Sequence, residues 1–233
     1  MIRSVDILGS VKDTVTSKCK DFPNSVAVNR QGELIYSDVA NRAVNIDRHG
    51  KTETLITTPR GWHPLGLCCT RSGDILVSMC TTDTSHHKII RYQGQRVTQE
   101  IDKDERGNPI YQGGKYGALV TENNNGDIVT SDDNARLVAV VDRNGKVRFR
   151  YDKPPGRQKP LDPTQIVTYS MGHIIVGDEL NNCFHILGQN GRFLRCVKIC
   201  RLYKPAGLSV DNEGRLWVGL LSSGEVKVIQ YMI

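Results

Sequence analysis

Gly126-Asp127-Ile128-Val129-Thr130-Ser131-Asp132-Asp133-Asn134-Ala135-Arg136 runs into Leu137-Val138-Ala139-Val140-Val141-Asp142-Arg143-Asn144-Gly145, and then into Lys146 to Tyr151. Read with a period of two, this stretch is three short strands separated by two polar turns. Each turn carries Gly beside Asp or Asn, the residues that accept φ > 0 in a tight hairpin. The opening Gly-polar-apolar signal recurs at Gly32-Glu33-Leu34-Ile35, Gly73-Asp74-Ile75-Leu76, Gly172-His173-Ile174-Ile175 and Gly214-Arg215-Leu216-Trp217. Successive copies are 41, 53, 46 and 42 residues apart.

A short apolar run and a polar turn precede each glycine. Val26-Ala27-Val28 and Leu208-Ser209-Val210 are the clearest, with Leu67-Cys68-Cys69, Leu119-Val120 and Ile166-Val167 in the matching places. Each unit therefore reads as four short antiparallel strands, and no stretch sustains a helical period of 3.6. Four strands per unit at this spacing mark an all-β protein, a β-propeller of four-stranded blades. A β-sandwich with glycine-marked loops is the lesser alternative.

The chain has 233 residues, and 38% of them are hydrophobic, which supports a true core. The repeat makes residues 1–233 one domain rather than two. No apolar run reaches the roughly 18 residues of a spanning helix, and Met1 to Asp6 carries no apolar signal segment. The seven cysteines are odd in number and irregular in spacing, which fits a reducing compartment and a cytoplasmic location. A net charge of +6 permits nucleic-acid binding without demanding it.

The last unit, from Pro205 to Ile233, supplies three strands and lacks an outer one. The first 20 residues offer two spare strands, Arg3 to Leu8 and Val11 to Thr16. The expectation is five blades closed by the second of these, which also protects an open edge. The alternative is five blades plus a partial sixth, the spare strands being the outer half of a blade whose inner half lies upstream.

The copies resemble NHL repeats. The first copy carries the resemblance on Pro23, Val26-Ala27-Val28, Gly32-Glu33-Leu34-Ile35-Tyr36, Asp38, Asn41-Arg42, Val44, Ile46-Asp47 and Gly50. The last copy carries it on Lys204 to Asp211 and Gly214 to Val218, while the second departs from it, with Thr81 to His87 in place of the Asp and Asn-Arg pair. The likeness extends to the C-terminal propeller of tripartite-motif (TRIM-NHL) proteins. It implies a recognition module that recruits a protein or single-stranded RNA for a larger ubiquitin ligase. It implies that RING, B-box and coiled-coil regions, absent here, supply ligase activity and oligomerisation. The chain itself is expected not to be an enzyme, to need no cofactor and to bind no membrane.

In a propeller the connections between blades share one face with the turns joining each blade's second and third strands. The resemblance implies that this is the ligand face. Candidate contacts there are Arg42, Arg60, Trp62, Lys115, Tyr116, Arg136, Lys153, Arg157, Lys159, Arg201, Tyr203 and Lys204. Basic side chains among aromatic rings suit phosphates and bases, and equally suit a protein hot spot. Asp132, Asp133, Asp162, Asp178 and Glu179 fall on the same face and offset much of this charge. The Lys153-to-Pro160 segment is the most basic connector, stiffened by three prolines.

Catalytic and metal signatures are weak. His86-His87 would diverge on a strand, and Cys196-Val197-Lys198-Ile199-Cys200 lacks the partners of a four-cysteine zinc site. There is no Gly-x-Ser-x-Gly elbow and no phosphate-binding glycine loop. Asp38, Asp132 and Asp178 recur at the end of the second strand, where they are expected to accept backbone N–H groups rather than bind a cation. No catalytic, cofactor or metal residue is assigned.

Overall fold

A computed structural model describes every residue except 7, 8, 21, 155, 157–159, 170, 199–204, 212, 221, 222 and 231–233, and of residue 206 it describes the backbone alone. The expected contacts Arg157, Lys159, Arg201, Tyr203 and Lys204 lie outside the described residues.

The chain is a five-bladed β-propeller. A hairpin of β1 (Ile2–Val5) and β2 (Val11–Val15) comes first. Blade 1 is β3 (Val26–Val28), β4 (Leu34–Asp38), β5 (Ala43–Arg48) and β6 (Lys51–Thr57). Blade 2 is β7 (Trp62–Cys69), β8 (Ile75–Thr81), β9 (His87–Gln93) and β10 (Arg96–Ile101). Blade 3 is β11 (Leu119–Glu122), β12 (Ile128–Asp132), β13 (Leu137–Val141) and β14 (Val147–Tyr151). Blade 4 is β15 (Pro163–Thr168), β16 (Ile174–Asp178), β17 (Cys183–Leu187) and β18 (Phe193–Lys198). Blade 5 is β19 (Pro205–Val210), β20 (Leu216–Leu220) and β21 (Val226–Ile229), three strands among the described residues. Every blade is an antiparallel meander in sequence order. Among the described residues there is no helix long and apolar enough to cross a membrane.

The turns behave as their composition predicts. Gly32, Gly73, Gly126, Gly172 and Gly214 all have φ between 76° and 92°. An added Cβ would be strained there by backbone conformation alone. Asp38 accepts the Asn41 N–H on Oδ1 (3.0 Å), and Asp132 accepts the Ala135 N–H on Oδ1 (3.0 Å). The repeated aspartate thus closes the turn between second and third strands in both blades.

The core is interleaved between blades rather than central. Ile35, Val44 and Ile46 of blade 1 pack on Leu67, Val77 and Ile90 of blade 2. Equivalent layers join blades 2 and 3, 3 and 4, and 4 and 5. Each fully buried aliphatic or aromatic side chain contributes about 1.5–3 kcal/mol. Hydroxyls stitch the layers together. Ser37 Oγ donates to Leu65 O (2.8 Å), Ser78 Oγ to Ala118 O (2.5 Å) and Ser131 Oγ to Thr164 O (3.0 Å), each on the next blade. The inner strands β3, β7, β11, β15 and β19 converge on an axial channel of about 240 Å³.

The closing strand is placed differently from expectation. β2 pairs with β1, not with β21, so the N-terminal pair is a two-stranded sheet of its own. The cause is local. Gly9 at φ 82° turns the chain, the Asp6 carboxylate accepts the Ser10 N–H (2.9 Å), and Lys12 pairs with Asp6 (3.1 Å). A tight hairpin satisfies these backbones with less loop-closure entropy than a pairing across the ring. The chain then joins blade 1, where Lys18 N–H donates to the Tyr36 hydroxyl (3.0 Å).

Candidate functional site

The expected ligand face is locked together by its own backbone. Thr58 N–H donates to Arg42 O (2.9 Å), Thr82 N–H to Gly61 O (3.0 Å), Gly114 N–H to Thr84 O (2.8 Å) and Glu179 N–H to Asp162 O (3.1 Å). Each bond ties a turn between second and third strands to an inter-blade connection. The face is therefore a rigid platform built from loops, the usual placement of recognition residues on a repeat scaffold.

Two recesses adjoin on this platform. The first, about 690 Å³, lies between blades 2 and 3 and is lined by Trp62, His87, Lys88, Glu100, Tyr111 and Arg150 among others. Lys88 Nζ sits 4.0 Å from the Trp62 ring centroid and 2.8 Å from Glu100 Oε1. That is a cation held between a ring face and a carboxylate. His87 is buried, with Nε2 3.2 Å from Gly114 O. Burial pushes the Tyr111 phenol up from its ordinary value.

The second recess, about 570 Å³, lies between blades 3 and 4 and holds Tyr116, Asp133, Asn134, Arg136, Asp162 and Glu179. Burial first, then neighbouring carboxylates, raises the carboxyls of both Asp133 and Asp162; Arg136 offsets part of this. The recess is a carboxylate-rich basin short of positive charge.

The ridge between the recesses is Gln112 to Tyr116, held by Asn134. The Asn134 side-chain amide donates to Tyr116 O (2.6 Å), and its oxygen accepts the Tyr116 N–H (3.2 Å). A Cβ at Gly113 would sit 2.1 Å from Ser85 O, and one at Gly114 would sit 2.3 Å from Asn134 Oδ1. Only glycine lets the ridge lie this close to both blades. Tyr116 crowns it, 55% exposed, with Lys115 Nζ 5.8 Å from its ring centroid.

Of the expected contacts, Trp62 lines the first recess and Tyr116 and Arg136 line the second. Arg42 and Arg136 occupy equivalent turn positions, with φ 52° and 55°. Arg42 is half-buried, and its carbonyl accepts both the N–H and the hydroxyl of Thr58. Arg60, Lys115 and Lys153 are exposed around the rim. Sequence reading missed Lys88, Tyr111, Arg150 and the Gly113-Gly114-Asn134 clamp. Lys88 and Glu100 are 12 residues apart and Asn134 and Tyr116 are 18 apart, and no local pattern brings them together. The opposite face has its own recess of about 680 Å³. There Arg91 is held by Asp74 (3.2 Å) and Glu122 (3.6 Å), so its charge is already matched.

No family model matches the chain. Protein brain tumor of Drosophila melanogaster is 30% identical over 102 residues, a match spanning 42% of this chain and 10% of that protein. Among solved structures, a chain of a nidogen/laminin complex has a TM-score of 0.68 at 12% identity, covering 97% of this chain and 84% of its own. Virginiamycin B lyase from Staphylococcus aureus has a TM-score of 0.62 at 19% identity, covering 89% and 69%. A gluconolactonase from Xanthomonas campestris has a TM-score of 0.64 at 14% identity, covering 84% and 68%. These likenesses establish the fold. They also correct the expectation that the chain is not an enzyme, because a lyase and a gluconolactonase are built on the same scaffold. A propeller hosts catalysis and binding alike, and the fold excludes neither.

Proposed function

We propose that this propeller recognises a protein partner through the platform formed by blades 2 to 4. In this reading it is the substrate-recruiting domain of a larger tripartite-motif-type ubiquitin ligase in the cytoplasm. The match to brain tumor agrees with the TRIM-NHL resemblance of the repeats.

The observation that carries the reading is the pairing of the two recesses around Tyr116. One side presents an aromatic-and-cation cleft, the other a basin of Asp133, Asp162 and Glu179. An exposed tyrosine flanked by charged pockets is the composition of a protein hot spot. The basin suits a lysine or arginine of the partner, with Arg60, Lys115 and Lys153 supplying rim charge. The alternative ligand, single-stranded RNA, is disfavoured at this position because those carboxylates repel phosphate.

The test compares the wild-type chain with Tyr116→Ala and with Asp162→Lys, and with Lys51→Glu on the opposite face as control. Partners captured by the wild type are quantified by mass spectrometry. A random single-stranded RNA pool is screened at low and high salt. The expected result is a set of proteins lost in both platform variants and kept in the control, with no RNA enrichment. RNA enriched at low salt and lost with platform charge would overturn the protein reading.

A further inference from the structure

Blade 4 holds a cluster the repeat does not explain. Cys183 and His185 are two residues apart on β17, so their side chains share one face. Cys196 on β18 lies directly opposite His185. The Sγ atoms of Cys183 and Cys196 and a ring nitrogen of His185 all lie within 4.8 Å of one another. Asp178 on β16 lies directly opposite Cys183. Cys183, His185 and Asp178 are completely buried, and Cys196 is half-buried.

The polar atoms here are incompletely satisfied. His185 Nε2 lies at ion-pair distance from Asp178 Oδ2, 3.2 Å, but makes no hydrogen bond. Asp178 Oδ1 is buried and without one as well. The other ring nitrogen, Nδ1, lies 3.0 Å from the Tyr151 hydroxyl. Buried carboxylate and imidazole atoms left this way are costly unless something compensates them. The other blades show what the fold itself needs at these places. Blade 1 has Ala43, Asn45 and Thr54, and blade 3 has Leu137, Ala139 and Arg150. The Asp178 counterparts, Asp38 and Asp132, have both carboxylate oxygens bonded to nearby N–H groups.

We propose that Cys183, His185 and Cys196 form a binding site for a thiophilic d10 cation, of which Zn²⁺ is the representative. Two thiolates and an imidazole are the donor set such an ion prefers. If the ion takes Nε2, Nδ1 keeps the Tyr151 hydroxyl to orient the ring; if it takes Nδ1, Nε2 faces the Asp178 carboxylate. Binding converts two thiols to thiolates, and the two protons leave to solvent. The half-buried Cys196 marks the side of entry. Local spacing does not reveal the site, because two ligands come from one strand and the third from its neighbour.

The test uses the whole chain, reduced and stripped with chelator. Co²⁺ is added as a spectroscopic probe, and Zn²⁺ is then used to displace it. One equivalent of Co²⁺ with thiolate-to-metal charge-transfer absorption, displaced by Zn²⁺ with release of about two protons, is expected. Cys196→Ser, the mildest substitution because the residue is half-buried, should weaken Zn²⁺ binding by 10-fold or more. Cys19→Ser, remote from the cluster, should leave binding unchanged. A wild-type Co²⁺ complex lacking thiolate absorption would overturn the site without recourse to any variant. So would equal Zn²⁺ retention by Cys196→Ser and wild type.

Discussion

Blades 1 and 4 share a backbone plan and differ in what they place on it. Both end the second strand with an aspartate, Asp38 or Asp178, and both pair it with the first residue of the third strand. In blade 1 the residue before that aspartate is Ser37, opposite Val44; in blade 4 it is Gly177, opposite Phe184. Ser37 bonds to the next blade through its hydroxyl. Gly177 has none, and a Cβ there would lie 2.7 Å from Thr164 Oγ1; that threonine itself donates to Pro205 O (3.1 Å). Blade 4 therefore replaces a hydroxyl stitch with a larger ring and moves the polar bond to its inner strand. The repeat conserves connections between blades, not the residues that make them.

The largest expected effect on this comparison is at the exchanged core pair. Phe184→Ala should cost about 3–5 kcal/mol, because it opens a cavity between blades 4 and 5. Val44→Ala should cost less, about 1.5–3 kcal/mol. Chemical denaturation of both variants measures the pair; equal losses would mean that blade 4 does not depend on its larger ring.

Next is the ridge, where the connection into blade 3 lies against Ser85 of blade 2. Gly113→Ala forces a Cβ against the Ser85 carbonyl and should cost about 1–3 kcal/mol. The Tyr116-dependent binding should fall with it, read from the thermal midpoint and from partner capture. Gly32→Ala, where a Cβ meets nothing, is strained only through its φ of 79° and should leave the platform intact.

The two aspartates separate next. Asp38→Ala strips acceptors from Asn41 and should cost about 1–3 kcal/mol. Asp178→Asn, in metal-free protein, should cost much less, since one carboxylate oxygen already lacks a partner. Thermal unfolding in chelator compares them. An equal loss at Asp178 would make the two turns equivalent after all.

The smallest effect is the pH response of the second recess. Asp133 and Asp162 have raised carboxyls, so the folded chain holds protons there more tightly than the unfolded chain. Stability contributed by those groups is lost as pH rises through the raised values. Asp162→Asn should therefore raise the thermal midpoint slightly at neutral pH, with the gain vanishing in acid. A cationic partner needs the ionised form, so its binding should strengthen over the same rise in pH. Scanning calorimetry and a binding isotherm at three pH values would read both signs.

Much of this was legible in the residues. Gly126, Asp132 and Asn134 announced strand, turn and turn-closing acid, and their copies gave period and blade number. Tyr116 and Trp62 were recognisable as candidates because aromatics at the head of inner strands stand out against polar loops. Lys88 was not, since on a strand it reads as a solvated charge until Trp62 and Glu100 close over it. Cys183, His185 and Cys196 escaped for a related reason: cross-strand neighbours are adjacent in space but carry no fixed spacing along the chain.

The sequence alone determined the propeller, because alternation and turn chemistry are local and each repeat states them independently. Only the tertiary structure decided where the first two strands go, which charges are matched and which residues converge between blades. Those depend on pairings tens of residues apart, chosen by loop entropy, burial and the few places where only a glycine or a small hydroxyl fits.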